Sequence, residues 1–278
     1  MTILVTGARG RVGRTVLRQL LDAGAPVRAA SSSPGTAGPP GQVPTAHLDL
    51  AAPGTFADAL TGVRKVFLYA RPDTAAKFTE AAVAAGVEHV VLLSSLAIDA
   101  DGAQDSPIAQ QHLVVEEALR ASGIGFTFVR AGAFAANALQ WAGQIRERRA
   151  LRLAYPDTHS EPVHEADLAA VAVRALLDDT HRGAVLRITG PQSLSARRQA
   201  ELIGRAIGES VEVTRISRAE YRAQLTAVFP EAIVDTLLDF QAERDGVPNP
   251  PHPDAEAVLG RPALGFGQWA TEHAEDFR

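Results

Sequence analysis

Through its first two thirds the chain alternates short apolar, β-branched runs with stretches whose apolar residues recur at helical spacing. Ile3 to Thr6 forms the first run, and Val12, Val16, Leu17, Leu20 and Leu21 then share one helix face until Gly24 stops the helix. Val27 to Ala30 predicts a second strand and His47 to Leu50 a short third one. Between them Ser31 to Pro44 is rich in Ser, Gly and Pro, which predicts a flexible loop. Lys65 to Ala70 is a fourth strand, with a helix over Thr74 to Ala85. His89 to Leu93, apolar throughout after its first residue, predicts a fifth strand covered on both faces. A helix over Ile108 to Ala121 and a sixth strand over Gly125 to Arg130 follow. Strands and helices in strict alternation predict an α/β protein of Rossmann type, a doubly wound parallel sheet.

After Arg130 the rhythm changes. Asn137 to Arg149 and Asp167 to Asp178 predict helices, Ala184 to Thr189 a strand, and Ser195 to Ile207 a helix ended by Gly208. Val211 to Ile216 predicts another strand, and Ser217 with Glu220 is a capping box that opens a further helix. Asp245 to Pro253 is a Pro-rich loop. The expected organisation is a nucleotide-binding domain over residues 1–155, rejoined by the strand near 184–189. A smaller, mostly helical substrate-binding lobe is expected over 156–278.

Composition narrows the function classes. The 278 residues are 46% hydrophobic with net charge -5, which supplies a core and argues against a nucleic-acid partner. The absence of cysteine excludes disulfides and thiolate chemistry. No apolar stretch approaches the length of a membrane span, and the opening residues do not resemble a signal peptide, so a cytoplasmic location is expected. His159 and His164 lack the spacing and carboxylate partners of a metal site, so none is expected.

The strongest chemical signal is Thr6-Gly7-Ala8-Arg9-Gly10-Arg11-Val12-Gly13, placed between the first strand and the first helix. Glycines there permit a tight turn, a close backbone approach to a pyrophosphate and tight helix–strand packing. The helix N-terminus then presents N–H groups and a favourable dipole to the phosphates. Thr6, Gly7, Arg9, Gly10, Arg11, Val12 and Gly13 are accordingly assigned to a dinucleotide. The second strand runs into Ser31, Ser32 and Ser33, and no acid occurs between Asp22 and Asp49. An acid in that place would repel a 2′-phosphate, whereas Arg9, Ser31 and Ser32 could cradle one, so NADP(H) is favoured over NAD(H). Asp49 could bond the adenine amine or cap its own turn.

Three further segments carry a family resemblance: His112 to Leu119 with Ser122-Gly123-Ile124, Phe126 to Phe134 with Asn137, and Val163 to Ala169. With the glycine loop and the tail at Leu259 to Pro262 and Phe266 to Trp269, the chain resembles the NmrA-like group of atypical short-chain dehydrogenase/reductase proteins. That resemblance covers nearly the whole chain. It implies a reductase that uses NADPH on a quinone-like or other conjugated small molecule. It also places the loop of Phe134 beside the nicotinamide, with Asn137 facing the substrate.

The chain departs from the common reductase pattern. Where a Tyr-x-x-x-Lys pair would stand, it has Ile108 and His112, and Ser94-Ser95 is followed by Leu96. A Tyr–Lys proton relay is therefore not expected. Hydride transfer to an acceptor that is already electrophilic needs none. His112, four residues before Glu116, is the candidate proton donor; its alternative is a core histidine in the stripe of Ile108, Val115 and Leu119. Ala70, Arg71, Ser94, Ala131 and Phe134 end the fourth to sixth strands, at the sheet edge where such folds bind ligands, and are assigned to the cofactor. Phe134 and Asn137 are the candidate substrate contacts. A homodimer is compatible with this reading. The rival readings are a non-catalytic NAD(P) sensor, which would need a protein partner, and a tailoring enzyme of a biosynthetic pathway.

Overall fold

The computed structural model describes residues 2–33, 43–227 and 230–278. Its strands are β1 (Thr2–Val5), β2 (Val27–Ser31), β3 (Thr45–His47), β4 (Val63–Tyr69), β5 (His89–Ser95), β6 (Gly125–Ala131), β7 (Ala150–Leu153), β8 (His159–Ser160), β9 (Val185–Ile188), β10 (Leu194–Ser195) and β11 (Glu212–Arg215). Its helices are α1 (Arg11–Asp22), α2 (Phe56–Leu60), α3 (Ala75–Ala84), α4 (Pro107–Ser122), α5 (Ala142–Arg148), α6 (Glu165–Leu177), α7 (Ala196–Ile207), α8 (Arg218–Thr226), α9 (Glu231–Glu243), α10 (Asp254–Leu259), α11 (Phe266–Glu272) and α12 (Ala274–Phe277).

These elements fall into two compact units, neither continuous in sequence. One comprises Met1–Gly132, Glu165–Ile188 and Pro253–Arg261; the other comprises Ala133–His164, Thr189–His252 and Pro262–Arg278. Sequence reading expected a boundary at residue 155 with one return near 184–189; the chain instead passes between units five times. The reason lies in α6, whose Ala- and Val-rich sequence buries nine of its residues. Such a helix needs a sheet face, and α6 packs on α1 and against β4, β5 and β6.

In the first unit seven strands pair in parallel in the order β3-β2-β1-β4-β5-β6-β9, which is the Rossmann-type, doubly wound arrangement. Strand alternation sends Leu4, Val66, Leu68, Val90, Leu92 and Phe128 into a core with Phe56, Phe78, Val115 and Leu119 from α2, α3 and α4. The opposite face is covered by α1 and α6, joined where Gln19 donates its side-chain amide to Ala166 O at 3.1 Å. The strand near 184–189 takes its place beside β6. Of the expected Ser31–Pro44 loop, residues 34–42 lie outside the described residues.

The second unit is mostly helical. Its core gathers Trp269, Phe266 and Phe277 with Ile145, Leu151, Ile203 and Leu238. The Phe266 and Trp269 rings stack at 5.2 Å. Two small sheets support it, β7 with β11 in parallel and β8 with β10 antiparallel. The capping box of Ser217 and Glu220 is present at the start of α8. The helix expected over Asn137–Arg149 is instead a 3-10 turn over Ala135–Trp141 running into α5. Among the described residues no helix is long and apolar enough to cross a membrane.

Candidate dinucleotide site

β1 delivers its C-terminal end straight into the glycine turn. Thr6 is buried and bridges two strands: its Oγ1 donates to Phe67 O at 3.0 Å and accepts from the Tyr69 N–H at 2.9 Å. Gly7 has φ +60°, a conformation an L side chain resists, and its missing Cβ leaves room for the Tyr69 ring. A Cβ on Gly13 would collide with the Gly7 carbonyl, so the third glycine sets how closely α1 sits on the turn. Gly10 is the N-cap of α1, with no side-chain cap and no acid in the first turn. The N–H groups of Arg11 and Val12 therefore stand at a positive helix end without a local carboxylate. This cradle fits a pyrophosphate: it is shaped by glycines, lined by N–H donors and free of carboxylate side chains.

The residues singled out in sequence fall into three groups. Gly7, Arg9, Gly10 and Arg11 lie exposed on the turn, with Val12 buried beneath them. Ser31 closes β2 and accepts the Ser33 N–H at 3.2 Å. Ser32 is exposed beside it. Asp49 turns to its own backbone, its Oδ1 accepting the Ala51 N–H at 2.8 Å, the capping alternative raised above. Ala70 and Arg71 follow β4; Arg71 meets Asp73 at 3.5 Å and lines a shallow cleft with Leu50, Tyr69, Thr74 and Phe78. Ala131 is buried at the end of β6. In the second unit, Phe134 bridges to Val163 and Asn137 is exposed, its N–H donating to Phe134 O at 3.1 Å.

His112 and Glu116 do not pair. Glu116 is fully buried and accepts from Ser94 Oγ at 2.6 Å and from Arg130. His112 is half-buried, and its Nδ1 lies 2.8 Å from Ile108 O. A carbonyl only accepts, so Nδ1 carries a proton and donates it, which leaves Nε2 for a further contact. Ile108 is 50% exposed while Val115 and Leu119 are buried, so the apolar stripe does not extend through His112 to Ile108.

Two groups escaped the sequence reading. One is Tyr69, whose hydroxyl accepts the Gly13 N–H at 3.2 Å and whose phenol pKa is pushed up by burial. The other is the ionic cluster beneath the sheet's C-terminal edge. Arg130 reaches both Glu116 oxygens and Asp99, Arg187 Nε reaches Asp99 at 2.8 Å, and Arg120 reaches Glu116 at 3.2 Å. Hydrogen bonds from Arg130 to Glu116 hold the guanidinium pKa above its ordinary value. An arginine inside the apolar strand Phe126–Ala131 was the visible signal, since such a charge requires a buried partner.

Residues 7–179 match a family model described as NAD(P)H-binding, which starts on the first glycine of the turn. The chain belongs to the NAD(P)H-binding family. Within it, the chain is 36% identical to a (4-alkanoyl-5-oxo-2,5-dihydrofuran-3-yl)methyl phosphate reductase of Streptomyces griseus, over 99% of each chain. It is 32% identical to an NAD(P)H azoreductase of Xenophilus azovorans, again over 99% of each. The solved NADPH-dependent quinone oxidoreductase of Escherichia coli superposes with a TM-score of 0.82 at 25% identity, covering 98% of this chain and 99% of that one. The protein is an NAD(P)H-dependent oxidoreductase.

Proposed function

We propose that this oxidoreductase uses NADP(H) in preference to NAD(H) and reduces a small conjugated acceptor, such as a quinone, an unsaturated lactone or an azo compound. One observation carries the acceptor class. At the sheet edge where a hydroxyl and a Tyr–Lys pair would serve a ketone, Ser94 is committed to Glu116, and Ile108 and His112 stand on α4. A chain without that relay suits an acceptor that needs little help from a proton donor. The names of the relatives agree, since a dihydrofuranone, an azo group and a quinone are all conjugated electrophiles. The cofactor preference is supported by β2 running into Ser31 and Ser32, with no acid between Asp22 and Asp49.

When bound, a reduced nicotinamide supplies the hydride. With an enone, a C–H bond forms at the β-carbon, the π pair moves toward the carbonyl, and the α-carbon takes up one proton. The turn of Gly7 and Gly10 with the N–H groups of Arg11 and Val12 would hold the phosphates, Gly13 lets α1 sit close against that turn, and His112 Nε2, when protonated, is the candidate donor of that proton.

The test is a fluorescence titration with NADPH and with NADH, followed by oxidation of the tighter cofactor with menadione, an azo dye and a 2-acylbutenolide. Tighter NADPH binding and turnover with at least one of the three are expected. Tighter NADH binding would overturn the preference, and binding without turnover of any acceptor would overturn the acceptor class.

A further inference from the structure

We propose that Tyr69 is a cofactor-positioning residue whose phenolic O–H donates to a pyrophosphate oxygen held at the glycine turn. The inference rests on the dinucleotide reading above and adds to it a side chain from β4. Three contacts fix the ring. Its backbone N–H is held by Thr6 Oγ1 at 2.9 Å. It meets the Phe67 ring edge to face, with centroids 5.7 Å apart and planes at 87°. Its Cδ2–Cε2 side fills the space left by the missing side chain of Gly7. A ring so constrained carries its hydroxyl to a single place, the first turn of α1.

There the phenolic oxygen accepts the Gly13 N–H at 3.2 Å. A Cβ on Gly10 would lie 3.6 Å from the same oxygen, so the hydroxyl lies against the turn itself. Accepting a hydrogen bond uses a lone pair and leaves the O–H proton to be donated. Among the described residues no acceptor takes that proton. An O–H whose oxygen already accepts from a helix N–H is polarised into a better donor. Burial, which pushes the phenol pKa up, keeps the group protonated at neutral pH. The pyrophosphate thus meets donors from two elements, the N–H groups of α1 and the hydroxyl at the end of β4.

The experiment compares wild type with Tyr69→Phe, which keeps the ring and removes only the hydroxyl. The Kd for NADPH should rise about 10- to 150-fold, the range of one hydrogen bond to a charged group. KM for NADPH should rise with it, while kcat at saturating cofactor stays the same. Adenosine 2′-monophosphate, which lacks the pyrophosphate, should bind both proteins equally. Unchanged or tighter NADPH binding by Tyr69→Phe would overturn the proposal, as would equal weakening of both ligands, which marks a packing role. Should the variant fail to fold, the wild type labelled with fluorotyrosine answers the same question. It has three tyrosines, and the Tyr69 fluorine resonance should shift with NADPH and not with adenosine 2′-monophosphate. A shift with both, or with neither, would overturn the proposal. Wild type that binds neither NADPH nor NADH would instead overturn the dinucleotide reading itself.

Discussion

Arg130 grips Glu116 with two parallel hydrogen bonds, Nε to Oε1 at 2.9 Å and Nη2 to Oε2 at 2.6 Å, and neither side chain is more than 8% exposed. The pair joins α4 to β6 inside the first unit, and Ser94 of β5 completes it. Losing one partner strands the other charge in a low-dielectric interior, which costs more than the intact pair contributes. Glu116→Ala should therefore destabilise the protein by about 3 kcal/mol, with urea denaturation as the measurement. A change below about 1 kcal/mol, the value of exposed ion pairs, would show that water reaches the site.

A second buried group makes stability depend on pH. His89 is fully buried; its Nε2 lies 2.9 Å from Thr127 Oγ1, and its pKa is lowered to about 4, by burial first and then by Lys65 and Arg182. A histidine that stays neutral when folded but protonates near pH 6.5 when unfolded lets the unfolded state bind more protons between those values. Stability should thus fall as pH drops from about 6.5 to about 4, by roughly 3 kcal/mol in total for this one group. Thermal melts across that range should show the slope, and His89→Leu should flatten it. An equal slope in the variant would assign the effect to other groups.

The glycine turn makes a steric prediction. In Gly13→Ala the new methyl meets the Gly7 carbonyl, which is backbone and cannot rotate away. We expect a loss of roughly 1–3 kcal/mol in stability, together with NADPH affinity reduced more than tenfold as α1 moves off the turn. Calorimetry and the fluorescence titration measure the two separately. Wild-type affinity in this variant would show that the turn has slack.

His112 provides the kinetic prediction. His112→Gln should lower kcat by about 100- to 10,000-fold, the range for a positioned proton donor, and leave the Kd for NADPH unchanged. An unchanged kcat would return the residue to a surface role and leave solvent as the proton source.

The elements that sequence revealed best were those whose period is set by one buried face. The alternation from β1 to β6 was legible because each strand and helix meets the same sheet. β9 was legible as a strand returning to the first sheet and α6 as a helix, but the membership of α6 was not: spacing records that a face is buried and not which partner buries it. The same limit explains the site. Gly7, Gly10 and Gly13 are readable because few other residues tolerate their backbone. Glu116 looked like a partner for His112 because helix spacing ranks neighbours on its own element. Its actual partners, Arg130 and Ser94, come from adjacent strands. Tyr69 gave no signal at all, since an aromatic at a strand end is ordinarily core; only the register of β4 beside β1 brings it under the turn.

The order of the segments also matters while the chain is being made. When a ribosome has released residues up to Ala131, β6 can pair with β5 but its outer edge has no partner, because β9 is still to be synthesised. At cellular elongation rates that edge waits roughly 3–11 s for Ile188 to emerge, and α6, the cover for one face of the sheet, arrives in the same interval. A half-built sheet with a bare edge is a template for strands from other chains. The nascent protein thus has a period of several seconds in which chaperone capture, or slower translation, decides how much of it survives to bind its cofactor.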